Sequence, residues 1–89
     1  MVTSTLYEEA VEVFGEEHQL YVTVEEMAEA IAKITQYLNR GRDVEQEMID
    51  EIADVVIMTN QMKVIYGERL VKAINRKLMK LQGHLDGRV

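Results

Sequence analysis

VEQEMIDEIADVVIMTNQMKVIY, residues 44–66, contains neither Gly nor Pro and winds as one long helix. At about 100° per residue, Ile52, Val55, Val56, Ile57, Met58, Val64 and Ile65 leave it no wide polar face. A helix of that kind is surrounded by protein. Three further helices of one short chain would hardly cover it, so the reading is an oligomer with this helix at or near the interface. Its first half carries Glu47, Asp50, Glu51 and Asp54, spaced i, i+3, i+4 and i+7 along a single stripe.

Outward from this stretch, three more helical patterns are separated by glycines. The chain has no Pro and five Gly, of which Gly15, Gly41, Gly67 and Gly83 each follow a helical pattern where a C′ residue belongs. The first helix is expected over residues 5–14, with Thr5 and Glu8 as a capping box and Leu6, Ala10, Val13 and Phe14 as its apolar stripe. The second is expected over 24–40, opened by Thr23 with Glu26 and stapled by Val22 against Met27, after a loop at 15–19. The third opens at Asp43 with Gln46. The fourth spans 68–82, with Leu70, Ile74, Leu78 and Leu81 on one side, and residues 83–89 are expected to fray. The fold class is therefore all-α, a single four-helix domain over residues 1–89.

Bulk properties narrow the functional classes. Eighty-nine residues suffice for one domain with a thin core, and the absence of Cys removes disulfides and thiolate zinc sites. Association with other copies is the remaining way to bury surface. The longest apolar run, 55–58, is far below the roughly 20 residues of a membrane span. No signal peptide is read at the N-terminus, and the default expectation is a cytoplasmic protein without a membrane partner. A net charge of −6 argues against binding duplex nucleic acid through phosphates. The charge is unevenly divided: residues 8–54 hold 14 acids and 3 bases, residues 55–89 hold 2 acids and 7 bases. Such a division suits a metal with a phosphate ligand, and equally suits plain pairing of helices.

The acids of the third helix lack local counter-ions. Like charges at these spacings cost a helix roughly 0.2–0.5 kcal/mol per pair, and no Lys or Arg falls between Arg42 and Lys63. Asp54 lies among Val55, Ile57 and Met58, where an unpaired carboxylate either takes a proton or finds a cation. The second helix supplies Glu25, Glu26 and Glu29 opposite its apolar residues Val24, Met27, Ile31, Ile34 and Leu38. Glu26 and Glu29 repeat the spacing of Glu51 and Asp54, so antiparallel packing of the two helices would gather four carboxylates around an oxygen-ligand site suited to Mg²⁺. Plainer readings compete: a solvated face, a Glu29–Lys33 pair at i+4, and a capping duty for Glu26.

Glu25-Glu26-Met27-Ala28-Glu29 followed by Glu51-Ile52-Ala53-Asp54 resembles the E-E-x-x-E…E-x-x-D pattern of the MazG-like family of all-α nucleoside triphosphate pyrophosphohydrolases, over roughly residues 14–81. The resemblance implies a four-helix protomer assembled as a dimer or tetramer with composite active sites. It implies Glu26, Glu29, Glu51 and Asp54 as Mg²⁺ ligands, with Mn²⁺ the alternative ion, and a catalytic or water-orienting part for Glu25 and Glu26. The implied reaction converts an NTP or dNTP to the monophosphate and pyrophosphate. Asn75-Arg76-Lys77 resembles the family's N-x-K segment that reaches phosphates, with Lys80 as a further basic contact; Leu78, Met79 and Leu81 depart from the aromatic and Arg residues of larger members. Gln19, before the second helix, and Asn60, beyond Asp54, are further substrate-binding candidates. Base stacking by Tyr37 or Tyr66 is weaker than a packing role. The alternatives are a phosphoribosyl-ATP pyrophosphatase of the same superfamily and a non-catalytic helical dimer that binds a protein.

Overall fold

The computed structural model describes residues 3–87, and every element in it is helical: α1 (Thr3–Phe14), α2 (Glu16–Arg40), a 3₁₀ turn (Gly41–Val44), α3 (Glu45–Tyr66) and α4 (Glu68–Asp86). No helix among the described residues is long and apolar enough to cross a membrane. The fold class and the number of helices agree with the sequence reading. Several boundaries do not.

The largest correction concerns α2, which begins at Glu16 rather than at Val24. Thr23 is no cap. It is buried in mid-helix, and its hydroxyl donates to the Gln19 carbonyl one turn back, 2.7 Å away. A Thr-x-x-Glu spacing caps a helix only where the chain ahead of it is non-helical, and nothing between Gly15 and Thr23 breaks a helix. Glu16 and Glu17 instead occupy the first turn, where negative charge meets the positive end of the macrodipole. Gly15 makes the joint with φ +92°: its N–H closes α1 on the Val11 carbonyl at 2.8 Å, and its own carbonyl accepts from Gln19 at 3.0 Å. Neither Thr5 nor Asp43 opens a helix either. Thr5 is already inside α1, and α3 follows Val44 with no side-chain cap.

Gly67, at φ +55°, likewise ends α3 and starts α4. Gly83 does not stop α4, which runs on to Asp86; an added Cβ there meets nothing within 4 Å. The predicted frayed tail is thus helical over four of its seven positions, and Arg88 and Val89 lie outside the described residues.

α1, α2 and α3 pack on one another. Among the described residues, α4 touches α3 alone and buries no residue. α2 and α3 run antiparallel in a register that three side-chain pairs make visible: Lys33 with Glu47, Glu26 with Asp54, and Gln19 with Gln61. Each step of seven residues down α2 matches seven up α3, about 10.5 Å along the axis. Around these pairs the buried set is small, with Val11, Ala30, Val44, Met58 and Met62 as its apolar members and Gln19, Thr23 and Gln61 as its polar ones. Among the described residues no side chain is completely enclosed.

The chain is accordingly open. Its accessible surface is 6968 Å², against about 5,400 Å² for a compact chain of this mass. Its radius of gyration is 15.9 Å, against about 12 Å for a compact chain of this length. Leu20, Val24, Met27, Ile31, Ile34 and Leu38, spaced by three or four residues, form an exposed apolar stripe along α2. On α3, Ile49, Ile52, Val56 and Ile57 are exposed as well.

Candidate functional site

The antiparallel register puts the Glu26/Asp54 rung between an ion pair and an amide pair. One heptad toward the 3₁₀ turn, Lys33 Nζ meets Glu47 Oε1 at 3.0 Å. This pairing was not legible from either helix alone. Lys33 is spent on Glu47 rather than on Glu29, and the third helix's acids receive from α2 a base that their own half of α3 lacks. Asp50 also gains a partner, because Gln46 Nε2 donates to its Oδ1 at 2.9 Å. Of the four acids on the α3 stripe, Glu51 and Asp54 remain without a basic or amide partner among the described residues.

Those two meet Glu26. One carboxylate oxygen each from Glu26, Glu51 and Asp54 lies within 4.8 Å of the others, and these three residues could hold a cation together. Glu26 and Glu51 are half-buried and Asp54 is exposed. Oε2 of Glu26 and Oε2 of Glu51 are sealed from solvent and accept no hydrogen bond. Burial, then repulsion by Glu29, Asp54 and Glu51, raises the Glu26 pKa above its ordinary value, and the Asp54 carboxyl against it adds to the shift. Burial, then the adjacent Glu29 carboxyl and the charge of Asp54, raises that of Glu51, with Lys33 pulling the other way. Glu29 is exposed and neighbours Glu51. The set expected from the sequence is therefore brought together, with three acids in mutual reach and Glu29 beside them. Glu26 is free to join because α2 leaves it no capping duty. Glu25, the remaining expected catalytic residue, is exposed and outside the triad.

No family model, curated protein or solved structure matches the chain.

The residues expected to contact substrate are scattered. Gln19 is not in a loop but buried in α2, where its Nε2 donates to Gln61 Oε1 at 2.6 Å and its Oε1 accepts from His18 Nδ1 at 2.8 Å. Gln61 in turn donates to Met58 Sδ at 3.6 Å. The signal that could have found this network is Gln61 on the same helix face as Met58 and beside Met62, a polar group that must find a partner when buried. Asn60 is half-buried and donates to the Tyr7 hydroxyl at 3.4 Å, tying α3 to α1. Asn75, Arg76, Lys77 and Lys80 are exposed on α4, which does not touch α2 among the described residues. Tyr66 offers its ring to its own chain, with the Arg69 guanidinium carbon 5.8 Å from the centroid.

Proposed function

We propose that this chain is a Mg²⁺-dependent nucleotide pyrophosphohydrolase that cleaves an NTP or dNTP to the monophosphate and pyrophosphate, working as a homodimer or homotetramer. The observation that carries the reading is the convergence of Glu26, Glu51 and Asp54, with two carboxylate oxygens sealed from water and given no donor. Buried carboxylates left in that condition call for a counter-charge. The donor set is all oxygen and suits Mg²⁺ or Mn²⁺, with Glu29 as the fourth acid. The likeness of Glu25–Glu29 and Glu51–Asp54 to the MazG-like pattern supplies the reaction class.

Glu26, Glu29, Glu51 and Asp54, on two helices held in register, would hold a divalent cation, whose charge would offset the negative charge that builds on the phosphates as water attacks. Glu26 is better situated than Glu25 to orient the water, since it stands within the cluster. Asn75, Arg76, Lys77 and Lys80 would reach the phosphates from α4 of a neighbouring copy, because within one protomer the described α4 does not touch α2. The open protomer, with its apolar stripe on α2, supports the assembly.

The test is a panel of dNTPs, NTPs and phosphoribosyl-ATP with Mg²⁺, scored for pyrophosphate. Pyrophosphate from a nucleoside triphosphate is expected. Release from phosphoribosyl-ATP alone selects the superfamily alternative, and orthophosphate means that a different bond is cut. No product and no Mg²⁺-dependent change in melting would favour the non-catalytic helical dimer.

A further inference from the structure

One register sets four rungs along the seam between α2 and α3: Gln19 with Gln61, Glu26 with Asp54, Glu29 with Glu51, and Lys33 with Glu47. The rungs order charge along the seam. The Gln rung is neutral and buried, the next two are acidic, and the last carries a base. Lys33 stands one turn, about 6 Å, from the Glu29/Glu51 rung. Cα–Cβ bonds tilt toward a helix's N-terminus, so its arm leans along α2 toward Glu29 and Glu26. Its charge is felt at Glu51, whose pKa it pulls down. Its ion pair with Glu47 does not bind it tightly: the Glu47 side chain is 57% exposed, and water screens such pairs strongly.

We infer that Lys33 leaves Glu47 to bind the outer phosphates of the nucleotide, so that the phosphate chain runs from the carboxylates toward the 3₁₀ turn. The inference rests on the pyrophosphohydrolase reading of the site. Charge decides the direction. Glu26, Glu29, Glu51 and Asp54 carry more negative charge than one divalent cation offsets, and a triphosphate adds to it, so a base is needed where the outer phosphates lie. In the other direction the seam offers Gln19 and Gln61, which are buried and bonded to each other. Arg40, the other base of α2, lies in its last turn, about two turns beyond Lys33. Among the described residues, α4 and its bases do not touch α2. An ammonium on a flexible arm suits the task, because it can exchange one oxyanion for another without a fixed geometry. Glu47 is then a competitor that holds the ammonium when no phosphate is bound.

The probe is inorganic pyrophosphate with Mg²⁺, titrated by calorimetry into the wild type, Lys33→Met, Lys33→Arg and Glu47→Gln. Circular dichroism shows that each variant folds, and melting with Mg²⁺ alone reads the metal site separately. Lys33→Met is expected to weaken pyrophosphate binding by about tenfold or more, the loss of one charge-assisted contact. Its Mg²⁺-induced rise in melting should be at least as large as that of the wild type, since a positive neighbour has gone. Lys33→Arg should keep most of the binding, and Glu47→Gln should bind at least as tightly as the wild type. If Lys33 serves only to tie the helices together through Glu47, Glu47→Gln and Lys33→Met lose binding equally. That result overturns the inference, as does unchanged binding in Lys33→Met or a wild type that binds no pyrophosphate. A nucleotide assay keeps the two readings apart. Pyrophosphate release with an unchanged KM in Lys33→Met rejects the contact and leaves the proposed reaction standing. Lys33-dependent binding of pyrophosphate without its release from any nucleotide keeps the contact and rejects the reaction.

Discussion

Replacing Glu51 by Gln keeps the side chain's shape and takes out a charge that helps raise the Glu26 pKa. Without divalent ions, E51Q should melt higher than the wild type. With Mg²⁺ it should show none of the ion-induced rise, and pyrophosphate release should fall by about a hundredfold or more, as when groups that hold a metal are lost. Scanning calorimetry with and without Mg²⁺, alongside a pyrophosphate assay, reads these effects. The acidity follows with a definite sign. Glu26 and Glu51 have folded-state values above the ordinary 4.5, so the folded chain binds more protons than the unfolded one between 4.5 and those raised values. Their contribution is fully present below 4.5 and lost as the pH rises through the raised values. The metal-free protein should therefore melt higher at about pH 5 than at about pH 7.5, while stabilisation by Mg²⁺, which needs the ionised carboxylates, should be larger at the higher pH. Equal melting temperatures at the two pH values would remove the electrostatic basis of the site.

At the scale of helices, the polar rungs between α2 and α3 act as a register. Gln61→Leu alone leaves the buried Gln19 amide without its acceptor and should cost about 1–3 kcal/mol in chemical denaturation. Gln19→Leu with Gln61→Leu should recover much of that, since both polar groups are then gone; a double variant as weak as the sum of the singles would show that the pair is not coupled. Glycines divide by conformation. Gly83→Ala in the body of α4 should add about 0.5–1 kcal/mol, whereas Gly67→Ala at φ +55° should lower stability. How far the sequence carried depends on which forces were local. The apolar pattern of 44–66 and the glycines at 15, 41 and 67 are local, and the four helices could be read from them. The start of α2 was misread because Thr23-x-x-Glu26 satisfies the capping pattern while the residues ahead of it are equally able to be helical. The carboxylate set was legible from its repeated three-residue spacing. The Lys33–Glu47 and Gln19–Gln61 pairs were not, because their partners are 14 and 42 residues apart and meet only through packing.

For the molecule as a whole, the surface left open decides behaviour. Leu20, Val24, Met27, Ile31, Ile34 and Leu38 form an exposed apolar stripe of the kind that marks an interaction surface, which the proposed assembly would cover. Melting temperature should rise with protein concentration, because association favours the folded form by mass action. Ile31→Asp, in the middle of that stripe, should abolish the concentration dependence and lower the melting temperature; a wild type whose melting is unaffected by a roughly hundredfold dilution would contradict this. The lack of any fully enclosed side chain among the described residues also bears on kinetics. If structure matures only as chains collide, refolding should be second order: its half-time lengthens as the solution is thinned, and a cell making few copies would hold them unstructured until synthesis passes a threshold.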